Sequence, residues 1–303
     1  MTDQAERLRQ IIENLKLKKE ISQTEQFNSN PAHKARVIAV TSGKGGVGKS
    51  NVAVNLAIAL SDLGQRVIIL DADFGLSNVD ILFGLTPENT LVDVMYKRKN
   101  ILQVLSNGPK NTKFISGGSG ARELVRLPKD KLISFIDHIK LLDRLADIII
   151  IDTGAGLSDN VMGFLAASDE ILLVATPEPT SITDAYAVIK ILSHQSRLPV
   201  IKLIVNRAES QREAADILNK LSAVALKFLN VKLEPLGYIL NDENVSKAVR
   251  IQQPFYMSFP KSQATRNIQE ISKKLLNVGK NAQAGNYSGV KGFFSRLAGF
   301  VGN

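Results

Sequence analysis

Between Arg36 and Gly64 the chain runs RVIAVTSGKGGVGKSNVAVNLAIALSDLG. This is an apolar β-branched stretch, a glycine-rich turn and a long apolar stretch that stops on glycine. Few architectures accept that order. Arg36 to Val40 reads as a buried strand, and the run beginning at Asn51 as a helix ended by Gly64. The turn between them, Gly43-Lys44-Gly45-Gly46-Val47-Gly48-Lys49-Ser50, fits the phosphate-binding pattern G-x-x-x-x-G-K-[ST]. The glycines let successive backbone N–H groups, from Gly43 through Val47 to Asn51, face inward around phosphates, and the following helix adds its positive end. Lys49 then reaches the β- and γ-phosphates, and Ser50 offers its hydroxyl to Mg²⁺. Lys44 has no place in that scheme, so the loop carries one cation too many.

Further apolar runs recur along the chain: VIIL from Val67, KFIS from Lys113, DIIII from Asp147, EILLVAT from Glu170, VIKLIVN from Val200 and LGYI from Leu236. Helix-period stretches separate most of them, notably Lys129 to Leu145, Thr180 to His194 and Ser210 to Leu229. Strands apolar throughout, alternating with helices, predict an α/β fold whose mainly parallel sheet has helices on both faces. Ligands in such sheets bind beyond the carboxyl ends of the strands. Acidic loops follow two of these runs, DADFGLSNVD at Asp71 and DTGAGLS at Asp152.

A nucleotide site needs carboxylates to hold Mg²⁺ or its waters and to orient an attacking water. Asp152 stands where a carboxylate holds Mg²⁺ through water, and Gly154 and Gly156 let a backbone N–H approach a γ-phosphate. Asp73 suits water positioning, because the loop that carries it can bend over the phosphates. Asp71 either joins the metal site or only caps a strand end or orients the glycine loop. Asn206-Arg207-Ala208-Glu209 departs from the N-K-x-D run of guanine-binding proteins at both charged positions. Asn206 is therefore expected to pair with an adenine edge, with Arg207 beside it and the loop from Tyr238 to Asp242 on the other side of the base. ATP is favoured over GTP.

Zero cysteines exclude disulfides, thiolate zinc sites and cysteine-ligated iron–sulfur clusters, and His33, His138 and His194 lack ligand spacing. No secretory pattern and no apolar run of about 20 residues is present, so a cytoplasmic setting is expected. The net charge of +9 is uneven: from Asn244 onward nine Lys or Arg face a single acid, Glu270. A basic end suggests an anionic partner.

Three domains are expected: residues 1–34, a helix and polar linker; 35–276, the nucleotide-binding core; and 277–303, a second linker and an apolar tail. In the tail Phe293, Phe294, Leu297, Phe300 and Val301 share one face of a helical wheel, flanked by Lys291 and Arg296. Near the length limit for isolated helices, the tail is expected to be unfolded in water and to fold on an anionic membrane surface.

Taken in order, KGGVGKS, DADFGLSNVD, DTGAG, TPEPTSITDAY and VNR resemble the MinD/ParA family of ATPases over residues 36–275. The family implies slow ATP hydrolysis, an ATP-dependent homodimer and Mg²⁺ as cofactor. Lys44 would reach across that dimer to the partner's phosphates. The resemblance further implies Asp73 as the catalytic carboxylate, Ser50 and Asp152 at magnesium, and Asn206 at adenine. Relatives often carry proline where this chain has Leu240, which leaves the second side of the base less defined.

With DQAERLR at Asp3 to Arg9, the chain is similar to the branch of the family that regulates flagellar number. That branch implies stimulation of an FlhF-type GTPase through Asp3, Gln4, Ala5, Leu8 and Arg9. It also implies a flagellar basal-body or transcriptional partner and peripheral association with the inner face of the cell membrane. A ParA-like partition ATPase holding DNA non-specifically is the alternative, and a metabolic ligase on the same fold a third. The phenylalanine-rich tail argues against DNA.

Overall fold

The computed structural model describes residues 34–73, 78–96, 99–118, 135–136, 139–281 and 287–301. The segment with Asp3, Gln4, Ala5, Leu8 and Arg9 lies outside the described residues, as do His33, His138 and residues 129–134 and 137–138 of the helix expected from Lys129 to Leu145.

Residues Lys34–Asn303 form one compact unit around an eight-stranded sheet. Its strands are β1 (Arg36–Thr41), β2 (Val67–Ala72), β3 (Ser106–Asn107), β4 (Lys113–Ile115), β5 (Ile148–Thr153), β6 (Glu170–Ala175), β7 (Val200–Ala208) and β8 (Glu234–Leu240). They lie in the order β3-β4-β2-β5-β1-β6-β7-β8, and every pairing except β3 with β4 is parallel. The isoleucine run of β5 sits at the centre, where both faces are covered and alternation has no advantage. Register decides the site: Val40 pairs with Asp152, and Asp71 pairs with Asp152 across the next ladder. The phosphate loop leaves β1 at the level of both carboxylates.

Helix α1 (Lys49–Asp62) is buried on nearly all sides, as its composition requires. It shares one apolar cluster with α2 (Val79–Phe83), α9 (Glu243–Arg250), α10 (Phe255–Ser258) and α11 (Gln263–Asn281). Two shorter helices, α3 (Leu91–Met95) and α4 (Ile101–Val104), pack with α5 (Leu142–Leu145) on the opposite face. That face is completed by α6 (Asp159–Ala167), α7 (Pro179–Ser193) and α8 (Gln211–Leu229).

The carboxyl-terminal region differs from expectation. Helix α11 continues to Asn281, through the first part of the expected linker, and Gly289–Val301 forms a further helix, α12, docked on the core. Phe293, Phe294 and Leu297 are buried, with Phe293 stacked near Phe164 of α6 and Phe294 edge-on to Phe135 at 5.3 Å. Removing each such side chain from water stabilises docking by about 1.5–3 kcal/mol, so tertiary packing makes a helix that would be marginal alone. Phe300 is half-buried above Gly163, whose missing Cβ leaves it room. Two carboxylates fix the helix start. Asp143 Oδ1 accepts from Val290 N at 2.8 Å and Ala35 N at 3.0 Å. Asp169 Oδ1 accepts from Ser288 Oγ at 2.7 Å and Arg296 Nη2 at 3.2 Å.

At the amino-terminal ends of the strands, Arg36, Glu170, Lys202 and Glu234 form a chain of ion pairs across four neighbouring strands. Arg36 Nη2 lies 2.6 Å from Glu170, and Lys202 Nζ bridges Glu170 at 2.7 Å and Glu234 at 3.0 Å. Burial alone would raise the Glu170 pKa, but hydrogen bonds and charge from Arg36 and Lys202 hold it below its ordinary value. Among the described residues no helix is long and apolar enough to cross a membrane.

Candidate active site

The loop between β1 and α1 adopts the shape its glycines permit. Gly46 and Gly48 have φ of 80° and 88°, the left-handed region that other residues enter at a cost. A Cβ on Gly48 would also lie 2.5 Å from Asn206 Nδ2, and one on Gly43 2.3 Å from the Asp184 carbonyl. The loop is thus clamped between β7 and α7. A third tie runs from the Gly156 N–H to the Ser42 carbonyl at 2.9 Å, linking the DTGAG loop to the phosphate loop.

Lys49 Nζ donates to Asp152 Oδ1 at 2.6 Å and to Ser50 Oγ at 3.2 Å, in surroundings where Lys49 is 7% and Asp152 0% exposed. The other Asp152 oxygen, Oδ2, is buried without a partner, and so is Thr41 Oγ1. Asp71 pairs alongside Asp152, and its pKa is pushed up to about 7 by burial first and by the Asp152 charge second. Two neighbouring buried carboxylates with an unsatisfied oxygen suit a divalent cation, which would relieve both penalties. The residues therefore fit Mg²⁺. Among the described residues there is no cluster of three His, Cys, Asp or Glu able to hold a metal alone. A Mg²⁺ held by one hydroxyl, carboxylates through water and a nucleotide's phosphates requires none.

The remaining candidates divide. Both Asp71 oxygens accept backbone N–H groups, from Asp73 at 3.1 Å and from Asn78 and Val79 at 2.9 and 3.1 Å. Asp71 thus shapes the loop that presents Asp73. Asp73 is half-buried, 3.3 Å from Asn78 Nδ2, and faces Gly154. Burial raises its pKa, with the Lys49 charge opposing and the Asp152 charge reinforcing. A carboxylate with raised basicity near a phosphate loop can take a proton from water.

Asn206 lies at the end of β7 with its Nδ2 donating to the Val47 carbonyl at 2.7 Å, so its amide is fixed by the phosphate loop itself. Arg207 beside it is exposed, with φ of 57°. Asp242 holds two backbone N–H groups. Its Oδ1 caps α9 through Asn244 N at 2.9 Å, and its Oδ2 accepts from Ala264 N at 3.1 Å. Burial would raise its pKa, but these backbone hydrogen bonds hold it lower. Asp242 thus joins the start of α9 to the start of α11.

Lys44 turns away from Lys49. Its Nζ meets Glu178 Oε2 at 2.7 Å and Thr180 Oγ1 at 3.1 Å, at the start of α7. The sequence reading did not single out Glu178 or Thr180 individually. Their signal was the proline-bracketed TPEPT segment directly after a strand carboxyl end.

A parallel sheet whose central strand feeds a glycine loop and a buried lysine, with carboxylates on the adjacent strand ends, defines a P-loop NTPase. A family model described as ParA, NUBPL iron-transfer P-loop NTPase, matches residues 33–276. The chain is 44% identical over 243 residues to the antiactivator FleN of Pseudomonas aeruginosa, covering 80% of this chain and 87% of that protein. It is 32% identical over 305 residues to the flagellum site-determining protein YlxH of Helicobacter pylori, covering 100% of both. The cell division ATPase MinD of Pyrococcus furiosus superposes with a TM-score of 0.66 at 26% identity, over 80% of this chain and 99% of that one. The chain belongs to the ParA/MinD family of P-loop NTPases and is an ATPase. It has no cysteine to ligate iron through thiolate.

Proposed function

We propose that this chain is an ATP-driven dimerising switch that regulates flagellar assembly. The flagellar roles named for its FleN and YlxH relatives support the setting. The observation that carries the switch is the placement of the two loop lysines. Lys49 is buried on Asp152 beneath the phosphate cradle, whereas Lys44 is 41% exposed and held outside it. A cation that does not serve its own nucleotide can serve another's. Lys44 reaches the phosphates of a second, ATP-loaded copy, so the dimer forms when both sites are filled.

In each site backbone N–H groups and Lys49 hold the phosphates, Asn206 orients adenine and Asp73 positions the water. Mg²⁺, with Ser50 and Asp152 as its holders, supplies neutralisation of charge on the phosphates. Hydrolysis removes the γ-phosphate that the dimer needs, and the monomer returns.

Two outputs belong to this reading. The segment with Asp3, Gln4, Ala5, Leu8 and Arg9 stimulates an FlhF-type GTPase, with Gln4 suited to orienting a water in that partner's site. Helix α12 leaves its groove and binds anionic lipid through Phe293, Phe294, Leu297 and Phe300. Two released tails in a dimer act together and raise apparent affinity steeply. Deleting the gene in its own organism tests the function: flagella per cell should change in number, and a Lys44→Ala copy should not restore it. Unchanged flagellation would remove the flagellar reading.

A further inference from the structure

The ion pair at the mouth of the phosphate loop has its own geometry. Glu178 is the residue from which α7 starts, and α7 packs against Gly43 so closely that any side chain there would strike the Asp184 backbone. Ser42 Oγ donates to the Lys44 carbonyl at 2.9 Å, which fixes the backbone under the lysine. Glu178 and the root of Lys44 are therefore held in one rigid frame. What can move is the four-carbon stem of Lys44, tethered at its tip by a carboxylate and a hydroxyl.

We propose that Glu178, assisted by Thr180, parks Lys44 in the monomer and sets the threshold for ATP-driven dimerisation. The inference rests on the reading that Lys44 crosses to a partner's phosphates. Carboxylate and polyphosphate compete for one ammonium group. When Lys44 departs, Glu178 is left without its counter-charge just as a second polyphosphate approaches. Both effects oppose association, and a triphosphate overcomes them better than a diphosphate because it offers more charge. Glu178 is ionised throughout the neutral range, since the hydrogen bond and charge of Lys44 hold its carboxyl below the ordinary value. Exposed pairs of this kind contribute little to folding, so removing the pair leaves the fold intact and dimerisation reports the competition directly.

Sedimentation of the full chain with a non-hydrolysable ATP analogue tests this. Glu178→Gln should lower the dimer dissociation constant about three- to tenfold, the combined effect of two weak exposed pairs. Thr180→Val should shift it in the same direction by less. Glu178→Asp keeps the charge and should stay within about twofold of wild type, whereas a packing role would respond to the shorter side chain. An unmoved or weakened dimer in Glu178→Gln, or equal shifts in the Gln and Asp variants, overturns the parking role alone. A wild-type chain that stays monomeric with the analogue overturns the switch reading itself, and the parking role with it.

Discussion

Lys49 and Lys44 lie five residues apart in one loop, yet burial separates their consequences. Lys49→Ala removes the counter-charge of a fully buried Asp152, so it should abolish nucleotide binding and also cost about 3–5 kcal/mol of folding stability. Lys44→Ala should leave monomer affinity for ATP and ADP nearly intact and melt like wild type. Isothermal titration with thermal melting distinguishes the two, and equal loss of affinity would contradict the assignment. At Asp73 the prediction concerns rate. Asp73→Ala should slow ATP hydrolysis about a hundredfold or more, the usual contribution of a positioned base, while the ATP-bound dimer accumulates. Steady-state turnover at the wild-type rate would show that another group positions the water.

Elements differ in how much of them the residues alone reveal. The strands β1, β2 and β5 to β8 were legible because each is apolar over at least four residues and ends at a loop with chemistry in it. The two residues of β3 carry no period, so the antiparallel edge was not. The expected linker begins later than residue 277, because Gly and Asn weaken a helix without ending it and α11 runs on to Asn281 with an apolar face buried along the sheet. For α12 an apolar stripe flanked by cations describes a helix in a protein groove as well as one on lipid. Its partner, the Phe135 and Phe164 groove, comes from distant segments. Of the site, the phosphate loop and its carboxylates were readable, whereas the scaffold role of Asp242 depends on the start of α11, 22 residues away.

The buried charge chain gives a prediction for the sheet. Glu170→Gln leaves Arg36 and Lys202 without their shared partner and should cost about 3–5 kcal/mol in denaturant unfolding. Because the folded-state pKa of Glu170 lies below the ordinary 4.5, its stabilisation is complete above that value and is lost as pH falls through the folded one. The gap between wild type and variant should therefore narrow in acid. A gap independent of pH would remove the charge from the explanation.

At the scale of the folded unit, the phosphate loop and the carboxyl-terminal helix are neighbours of one element, α6. The DTGAG loop, tied to the phosphate loop through Gly156, leads directly into α6, and α6 forms the wall on which Phe293 and Phe300 of α12 rest. Liposome sedimentation should accordingly require both ATP and anionic lipid, and should vanish on deletion after Gly289. Phe293→Glu should abolish it too, while destabilising the docked form through a buried charge. Pelleting of the deleted chain would mean that membrane contact lies elsewhere.

ATP, and not ADP, is expected to join two copies through Lys44. Analytical ultracentrifugation of wild type and Lys44→Ala with Mg²⁺ and either nucleotide measures it directly. Wild type should be a dimer with a non-hydrolysable ATP analogue and a monomer with ADP, and Lys44→Ala should be a monomer in both conditions. A Lys44→Ala chain that dimerises with the analogue as tightly as wild type would contradict it.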